Sequence, residues 1–398
     1  MNSQEIVTEI RRLKRGWTDR SDEARILNLL EAAPGTSLDA ILRELNVDSL
    51  IRNVHNYMRG PNNRARLLQL LTVDRVHDLT LQTRADIVWA LQKRRTHTSL
   101  EIAIRNIILA STGEELRQLR NVLNHSGTHR DLTRLVFNDI DDPTVRAEII
   151  DHIAAHQTPT NEIKVLSDID DTVFARLHDK RYPGKTRYPG VLAFFNALDR
   201  APDGAGEPGD LTFVTARPGL LAGIVSWFTR RSLRKAGIRQ HTILTGSLLA
   251  LRSHRHMAQR KMQNIRRYHQ LFPEYGIVFV GDSGQGDVQV GREMLRELGD
   301  AVRGVYIHDI RQPGLDHLDI TGDDGIAYFD TYTAAATAAW QTGIIGGDQA
   351  LEVGEAAITD LEALIAIPRK VREARLAEHQ ADLRTLRELV AGEVPESS

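Results

Sequence analysis

The sequence predicts two parts in order: an all-α helical-repeat domain over residues 1–158, then an α/β domain built on a parallel sheet. Three observations predict this. Residues 20–157 carry apolar residues at three- and four-residue spacing throughout, as in Ile26, Leu29, Leu30 and in Ile87, Val88, Leu91, which is the period of an amphipathic helix. Sliding the chain by about 62 residues aligns ARILNLLEAAPGTSLDAILREL (24–45) with DIVWALQKRRTHTSLEIAIRNI (86–107), and TRADIVWAL (83–91) with VRAEIIDHI (145–153). Self-similarity at such a period marks duplicated multi-helix units. After the polar linker Gln157-Thr158-Pro159-Thr160, short β-rich runs alternate with amphipathic stretches, the pattern of a doubly wound parallel sheet.

Composition narrows the function classes. A chain of 398 residues, 41% hydrophobic and 26% charged, is no disordered polymer and holds two or three domains at about 100–200 residues each. It has no cysteine, which excludes disulfides, thiolate metal sites and a Cys nucleophile and fits a reducing compartment. The opening MNSQEIVTEIRRLKRGW lacks an apolar core, so no signal peptide is expected. No run approaches the roughly 18–20 apolar residues that span a bilayer. The expectation is a soluble, cytoplasmic protein.

Charge is segregated. The net is −2, yet residues 217–273 contain twelve Lys and Arg and no acid. Trp227, Phe228, Tyr268 and Phe272 lie among them. Such a segment suits an anionic surface, either lipid headgroups in a peripheral membrane contact or nucleic acid. The competing explanation is solvated helix faces paired with acids elsewhere.

In the helical part, each TSL tripeptide is followed by an acid and resembles a helix start. No catalytic cluster falls in residues 1–158, so this part is expected to dock a protein partner.

In the α/β part, five runs are predicted as strands: IKVLSD (163–168), LTFVT (211–215), HTILTG (241–246), IVFVGD (277–282) and VRGVYIHD (302–309). Ligands gather at the carboxyl ends of such strands, and four features fall there. In SDIDDT, Asp168 and Asp170 stand two residues apart, and a tight turn can bring both carboxylates to one centre. That pair suits a Mg²⁺ site with one nucleophile and one proton carrier. A helix N-cap cluster or a calcium loop are the alternatives, though Val173 stands where an EF-hand needs glycine. In FVTARP, the Thr215 hydroxyl is placed to hold a phosphoryl oxygen. Lys261 lies on the helix before the fourth strand. In GDSGQGD, the glycines allow a tight loop, and Asp282 and Asp287 suit a hard cation. The candidate metal ligands are therefore Asp168, Asp170, Asp282 and Asp287. Thr172, Arg217 and Ser283 are candidate substrate-binding residues.

Together these residues resemble the haloacid dehalogenase (HAD) superfamily: DxDxT at Asp168 to Thr172, a second motif at Thr215, a third at Lys261 and an acidic fourth at Asp282 and Asp287. SDIDDT, Lys261 with Ile265, Phe272-Pro273, VGDSGQGD and VYIHDI further resemble the App1-type phosphatidate phosphatase catalytic domain over roughly residues 163–312. VTARP (214–218) stands where that pattern more often has a Ser-Asn-Ser-Pro-like run, and His308 where it has Arg. The resemblance implies a Rossmannoid HAD-like domain and a Mg²⁺-dependent phosphomonoesterase. Asp168 would be the nucleophile and Asp170 the acid and then base. Thr215 and Lys261 would bind phosphoryl oxygens. The implied substrate is phosphatidate or a related lipid phosphate. A nucleic-acid end or a phosphoprotein is the runner-up, and a repeat-based scaffold is the non-enzymatic alternative.

Asp168 and Thr215 are 47 positions apart, and Thr215 and Lys261 are 46. Both gaps must already hold core elements, so a capless or minimally capped site is expected. An open site favours a phosphate carried on something large. RLHDKRYPGKTRYPG (176–190) is either a small flap over it or a surface connection. The α/β domain is expected over 159–330, followed by a helical extension over 331–398 with helices near 331–345 and 349–392. Leu376, Leu383, Val390 and Leu386 suggest intramolecular packing rather than a dimerising coiled coil. His254, His256 and His308 are expected to be surface or packing residues.

Overall fold

The computed structural model of the chain describes residues 1–15, 18–55, 62–92, 97–124, 131–176, 178–200, 211–218, 242–246, 254–284, 286–310, 324–365 and 367–393. Two units separate within the polar linker, Met1–Thr158 and Pro159–Ser398.

The first unit is helical. α1 (Ser3–Leu13) starts at Asn2, whose side chain accepts from the Glu5 N–H at 2.9 Å while the Asn2 N–H donates to the Glu5 carboxylate at 3.0 Å. This reciprocal cap satisfies two of the donors that a helix start leaves open. There follow α2 (Arg20–Glu31), α3 (Gly35–Leu45), α4 (Val47–Asn53) and α5 (Asn63–Gln69), the last running into a π turn at Leu70–Asp74. α6 (Leu81–Gln92), α7 (Thr98–Leu109), α8 (Gly113–Asn124) and α9 (Leu132–Arg134) come next, again with a π turn, at Leu135–Asp139, before α10 (Pro143–Ala155). The 62-residue offset lays α2 on α6, α3 on α7 and α6 on α10. The TSL tripeptides mark helix starts as expected, though without a side-chain cap. They lie inside the first turns of α3 and α7, and the capping positions, Pro34 and His97, make no such bond. The following acids work at longer range. Asp39 accepts from the Thr80 N–H at 2.9 Å, and Glu101 from the N–H groups of Asp141 and Asp142 at 2.9 and 3.0 Å. Each acid thereby braces the residue that opens the next stretch of the array, at α6 and at α10.

The second unit is a six-stranded parallel sheet: β1 (Ile163–Ser167), β2 (Thr212–Pro218), β3 (Thr242–Gly246), β4 (Gly276–Asp282), β5 (Val302–His308) and β6 (Ala327–Phe329), in the order β3-β2-β1-β4-β5-β6. Its helices are α11 (Val191–Asp199), α12 (His254–Leu271), α13 (Asp287–Leu298), α14 (Tyr332–Gln341), α15 (Gly347–Ala363) and α16 (Arg369–Glu393). Strands covered on both faces read as continuous apolar runs, and β4 is buried from Ile277 onward. Lys164 on β1 is buried as well, its Nζ 4.1 Å from the Tyr275 ring centre and 5.0 Å from that of Phe272, so aromatic faces help hold its charge. β6 is a strand that periodicity did not reveal, because three residues define no period.

The chain after β6 departs from the expected extension. The stretch 349–392 is two helices, broken before Pro368, whose ring cannot continue a helix. Leu361, Ile367, Leu383 and Leu386 are buried in one core with Phe194, Phe213 and Tyr332, and Leu376 and Val390 pack against it. The leucines of α16 face the sheet's own core, so these helices are part of the α/β unit. No helix among the described residues is long and apolar enough to cross a membrane.

Candidate active site

From β1 the sheet grows one way through β2 and β3. β4 then begins on the opposite side of β1. Chains leaving neighbouring strand ends in opposite directions open a crevice. Asp168 lies directly after β1, its N–H donating to the Val280 carbonyl at 2.9 Å. Asp282 ends β4 and Asp287 opens α13. Lys261 reaches in from α12, and its Nζ donates to Asp168 Oδ1 at 2.8 Å and to Asp287 Oδ1 at 2.5 Å. Asp168, Asp282 and Asp287 each offer a carboxylate oxygen within 4.8 Å of the others, and all three are buried. Asp282 Oδ1 accepts from the Gly284 N–H at 2.6 Å, whereas Oδ2 is buried without a partner. Gly281 permits this approach: a Cβ there would lie 2.7 Å from the Asp287 side chain.

Three carboxylates against one ammonium leave the cluster short of positive charge. Burial pushes the Asp168 carboxyl up to about 7, with Lys261 opposing the rise and Asp287 and Asp170 adding to it. Burial, then Asp287 and Asp168, push Asp282 well above the ordinary carboxylate range. Burial alone would lower Lys261, but Asp168 and Asp287 more than reverse that, so its ammonium stays charged. Oxygen-only donors, the orphaned Asp282 Oδ2 and this charge deficit fit a hard divalent cation such as Mg²⁺.

Asp170, expected as a fourth ligand, is not among the three converging acids. Its Oδ1 accepts from Arg176 Nη1 at 3.0 Å. The chain does turn tightly here, with Asp171 at φ +58°. Thr172 is fully buried, its carbonyl accepting from the Tyr332 hydroxyl at 2.7 Å, which braces the turn. The Ser283 hydroxyl donates to Asp309 Oδ1 at 3.0 Å and accepts from the Ile310 N–H at 3.2 Å, so it ties two loops together. Thr215 and Arg217 lie on β2, and their side chains fall outside the described residues.

Asp171, which sequence reasoning passed over, organises the turn. Its Oδ1 accepts from the Arg176 N–H at 2.6 Å and its Oδ2 from the His178 N–H at 2.9 Å. His308 is buried, and its Nδ1 lies 3.0 Å from the Asp171 carbonyl. Burial, reinforced by Arg181, pushes His308 down to about 4, so it is neutral, and a carbonyl partner places its proton on Nδ1. The only signal for Asp171 was its place beside two acids already singled out.

The 176–190 segment is neither a loose flap nor a plain surface connection, because Asp179, Tyr182 and Tyr188 are buried. It stands next to the acidic cluster. A Cβ on Gly284 would lie 2.7 Å from Asp282 Oδ1 and 2.9 Å from His178 Nδ1. The basic tract is described only in part. Lys261 is buried in the site and Arg266 is paired with Glu297 at 2.7 and 3.0 Å. Residues 219–241 and 247–253 lie outside the described residues, and with them Trp227, Phe228 and most of the tract's other cations.

No curated protein and no solved structure matches the chain. Residues 163–309 match the family model of the phosphatidate phosphatase APP1 catalytic domain. That stretch runs from the first residue of β1 to just past β5 and contains Asp168, Lys261, Asp282 and Asp287, so this part of the α/β unit is similar to the App1-type catalytic domain.

Proposed function

We propose that the α/β unit is a HAD-type, Mg²⁺-dependent phosphomonoesterase that works through a phosphoaspartyl intermediate on a lipid phosphate such as phosphatidate. The observation that carries this reading is Lys261 donating to both Asp168 and Asp287 beside the half-satisfied Asp282. Bound at Asp168, Asp282 and Asp287, Mg²⁺ would supply the charge that lets an anionic carboxylate approach an anionic phosphate. Lys261 holds Asp168 Oδ1, which orients the carboxylate and leaves its second oxygen for attack. As the Asp168 oxygen–phosphorus bond forms in line, the phosphorus–ester oxygen bond breaks. Asp170 gives the departing alkoxide its proton. Water then attacks the phosphorus, Asp170 takes the water's proton, and inorganic phosphate leaves Asp168. Thr215 and Lys261 are assigned to the phosphoryl oxygens, where charge is spread in the transition state.

The test is Mg²⁺-dependent phosphate release from phosphatidate vesicles, from a 3′-phosphorylated oligonucleotide and from a phosphopeptide. The expected result is turnover of phosphatidate and a loss of at least about 10³-fold, roughly 4 kcal/mol of barrier, in Asp168→Asn with unchanged circular dichroism. Turnover of the oligonucleotide or phosphopeptide alone would move the substrate to the runner-up class. Wild-type activity in Asp168→Asn, or none on any substrate, would overturn the mechanism.

A further inference from the structure

We propose that Arg375, on α16 and outside the App1-like segment, is a positioning residue of the candidate active site, holding the 176–190 loop beside Asp282 through Tyr182 and Asp330. The inference rests on the phosphatase reading of that cluster.

A loop carrying Arg176, Lys180, Arg181, Lys185 and Arg187 would ordinarily be solvated. Here Asp179, Tyr182 and Tyr188 are buried between exposed neighbours. Asp179 accepts from Arg181 Nε and Nη2 at 3.0 and 2.9 Å and from the Tyr188 hydroxyl at 2.9 Å. Arg181 also pairs with Asp330, and its Nη2 lies 3.3 Å from His308 Nε2. Asp330 is shared, because its Oδ2 accepts from Arg375 Nη1 at 3.1 Å and its carbonyl from Nη2 at 3.3 Å. The third arm of the guanidinium, Nε, donates to the Tyr182 hydroxyl at 3.1 Å, with Arg375 only 4% exposed. One planar fork thus donates to three acceptors and also pairs with Glu378, which a lysine cannot do. A buried network of this kind holds together only when complete, since removing one partner strands the others. A second tie is independent: Asp360 on α15 accepts from Arg187 Nη2 at 2.6 Å and from the Gly190 N–H at 3.1 Å. At the other end of the loop, His178, whose N–H donates to Asp171 Oδ2, stands beside Gly284 and Asp282. A loop freed at Tyr182 therefore loosens the turn that carries Asp168 and Asp170.

The experiment compares full-length Arg375→Met and Arg375→Lys with Leu386→Ala, a core deletion on the same helix. One arm measures kcat and KM for Mg²⁺-dependent hydrolysis of a soluble short-chain phosphatidate, and the other measures amide hydrogen exchange over 171–190. Arg375→Met should lower kcat at least 10-fold with KM changed less than 3-fold, and speed exchange over 176–190 at least 10-fold. Arg375→Lys should fall between it and wild type. Leu386→Ala, assayed where it is folded, should keep kcat within 2-fold and loop exchange near wild type. Tyr182→Phe, which deletes one hydroxyl, should shift both measures in the same direction as Arg375→Met and serves where that variant does not fold. Equal loop exchange in the Arg375 and Leu386 variants, or unchanged kcat despite a loosened loop, would overturn the proposal. An inactive wild type would sink the phosphatase reading instead, and the exchange arm would still decide whether Arg375 holds the loop.

Discussion

Glu101 in the helical unit and Asp282 in the α/β unit are both buried carboxylates with opposite fates. Glu101 accepts from two backbone N–H groups, one at each oxygen, and Glu23 likewise divides its oxygens between His55 and Asn63. Neutral donors complete these acids, which makes them braces between helices. Asp282 instead shares a small volume with Asp168 and Asp287, a single ammonium serves two of the three, and one Asp282 oxygen has no donor. A buried acid with its hydrogen bonds filled is structure. Acids crowded together with their need unmet mark a centre built for something else to enter.

The largest effect should come from removing the ammonium. Lys261→Met leaves three buried carboxylates without a counter-charge and should lower stability by about 3–5 kcal/mol, measured by urea unfolding, with turnover falling at least about 10³-fold. Glu101→Gln is the counterpart and should cost about 1–2 kcal/mol with turnover within 2-fold. Comparable losses of activity in the two would erase the distinction.

Acid titration sharpens it next. His308 folds with its pKa lowered to about 4, so its contribution is complete above the unfolded value near 6.5 and lost as pH falls toward 4, by up to roughly 3 kcal/mol. Asp168 has its folded value raised to about 7, so metal-free protein loses stability from this group as pH rises from about 4 to 7. The two slopes oppose each other in the wild type. Asp282, also raised, adds to the Asp168 slope, so the double variant Asp168→Asn with Asp282→Asn should expose the His308 slope in denaturant melts between pH 4 and 6.5, and a flat profile there would contradict a buried neutral imidazole.

Metal binding should give a somewhat smaller signal. Mg²⁺ at about a hundred times its Kd would stabilise the wild type by about 2.7 kcal/mol, seen as a rise in thermal midpoint. Asp282→Asn should lose that rise and, without metal, unfold no more easily than wild type, because a crowded charge is gone. The smallest effect belongs to Arg266→Ala on the exposed face of α12, which should cost no more than about 0.5 kcal/mol and leave turnover within 2-fold.

The strand-end residues were legible because motif, strand and loop coincide within a few positions. Asp168 follows an apolar run, Asp282 ends another and glycines flank it. What stayed hidden depends on contacts between distant positions. Nothing near Arg375 announces Tyr182, nor anything near Tyr332 the Thr172 carbonyl it binds, because these partners are paired by the fold and not by spacing. The turn after Asp168 was equally hidden, because an Asp tolerates the left-handed conformation of Asp171 without advertising it. The helices of the first unit were visible from their apolar spacing, but the work of Asp39 and Glu101 was not, since a charge at a helix start looks like a cap.

The separation of those partners in the chain sets a timetable for synthesis. Strands β1, β2, β4 and β5 can assemble as they leave the ribosome, but the loop beside Asp282 must wait for Asp330, Asp360 and finally Arg375, which binds a hydroxyl 193 positions earlier. Contacts of such long range form late. In a chain made from its N-terminus, every residue of the acidic cluster is therefore synthesised before the guanidinium that ties the neighbouring loop.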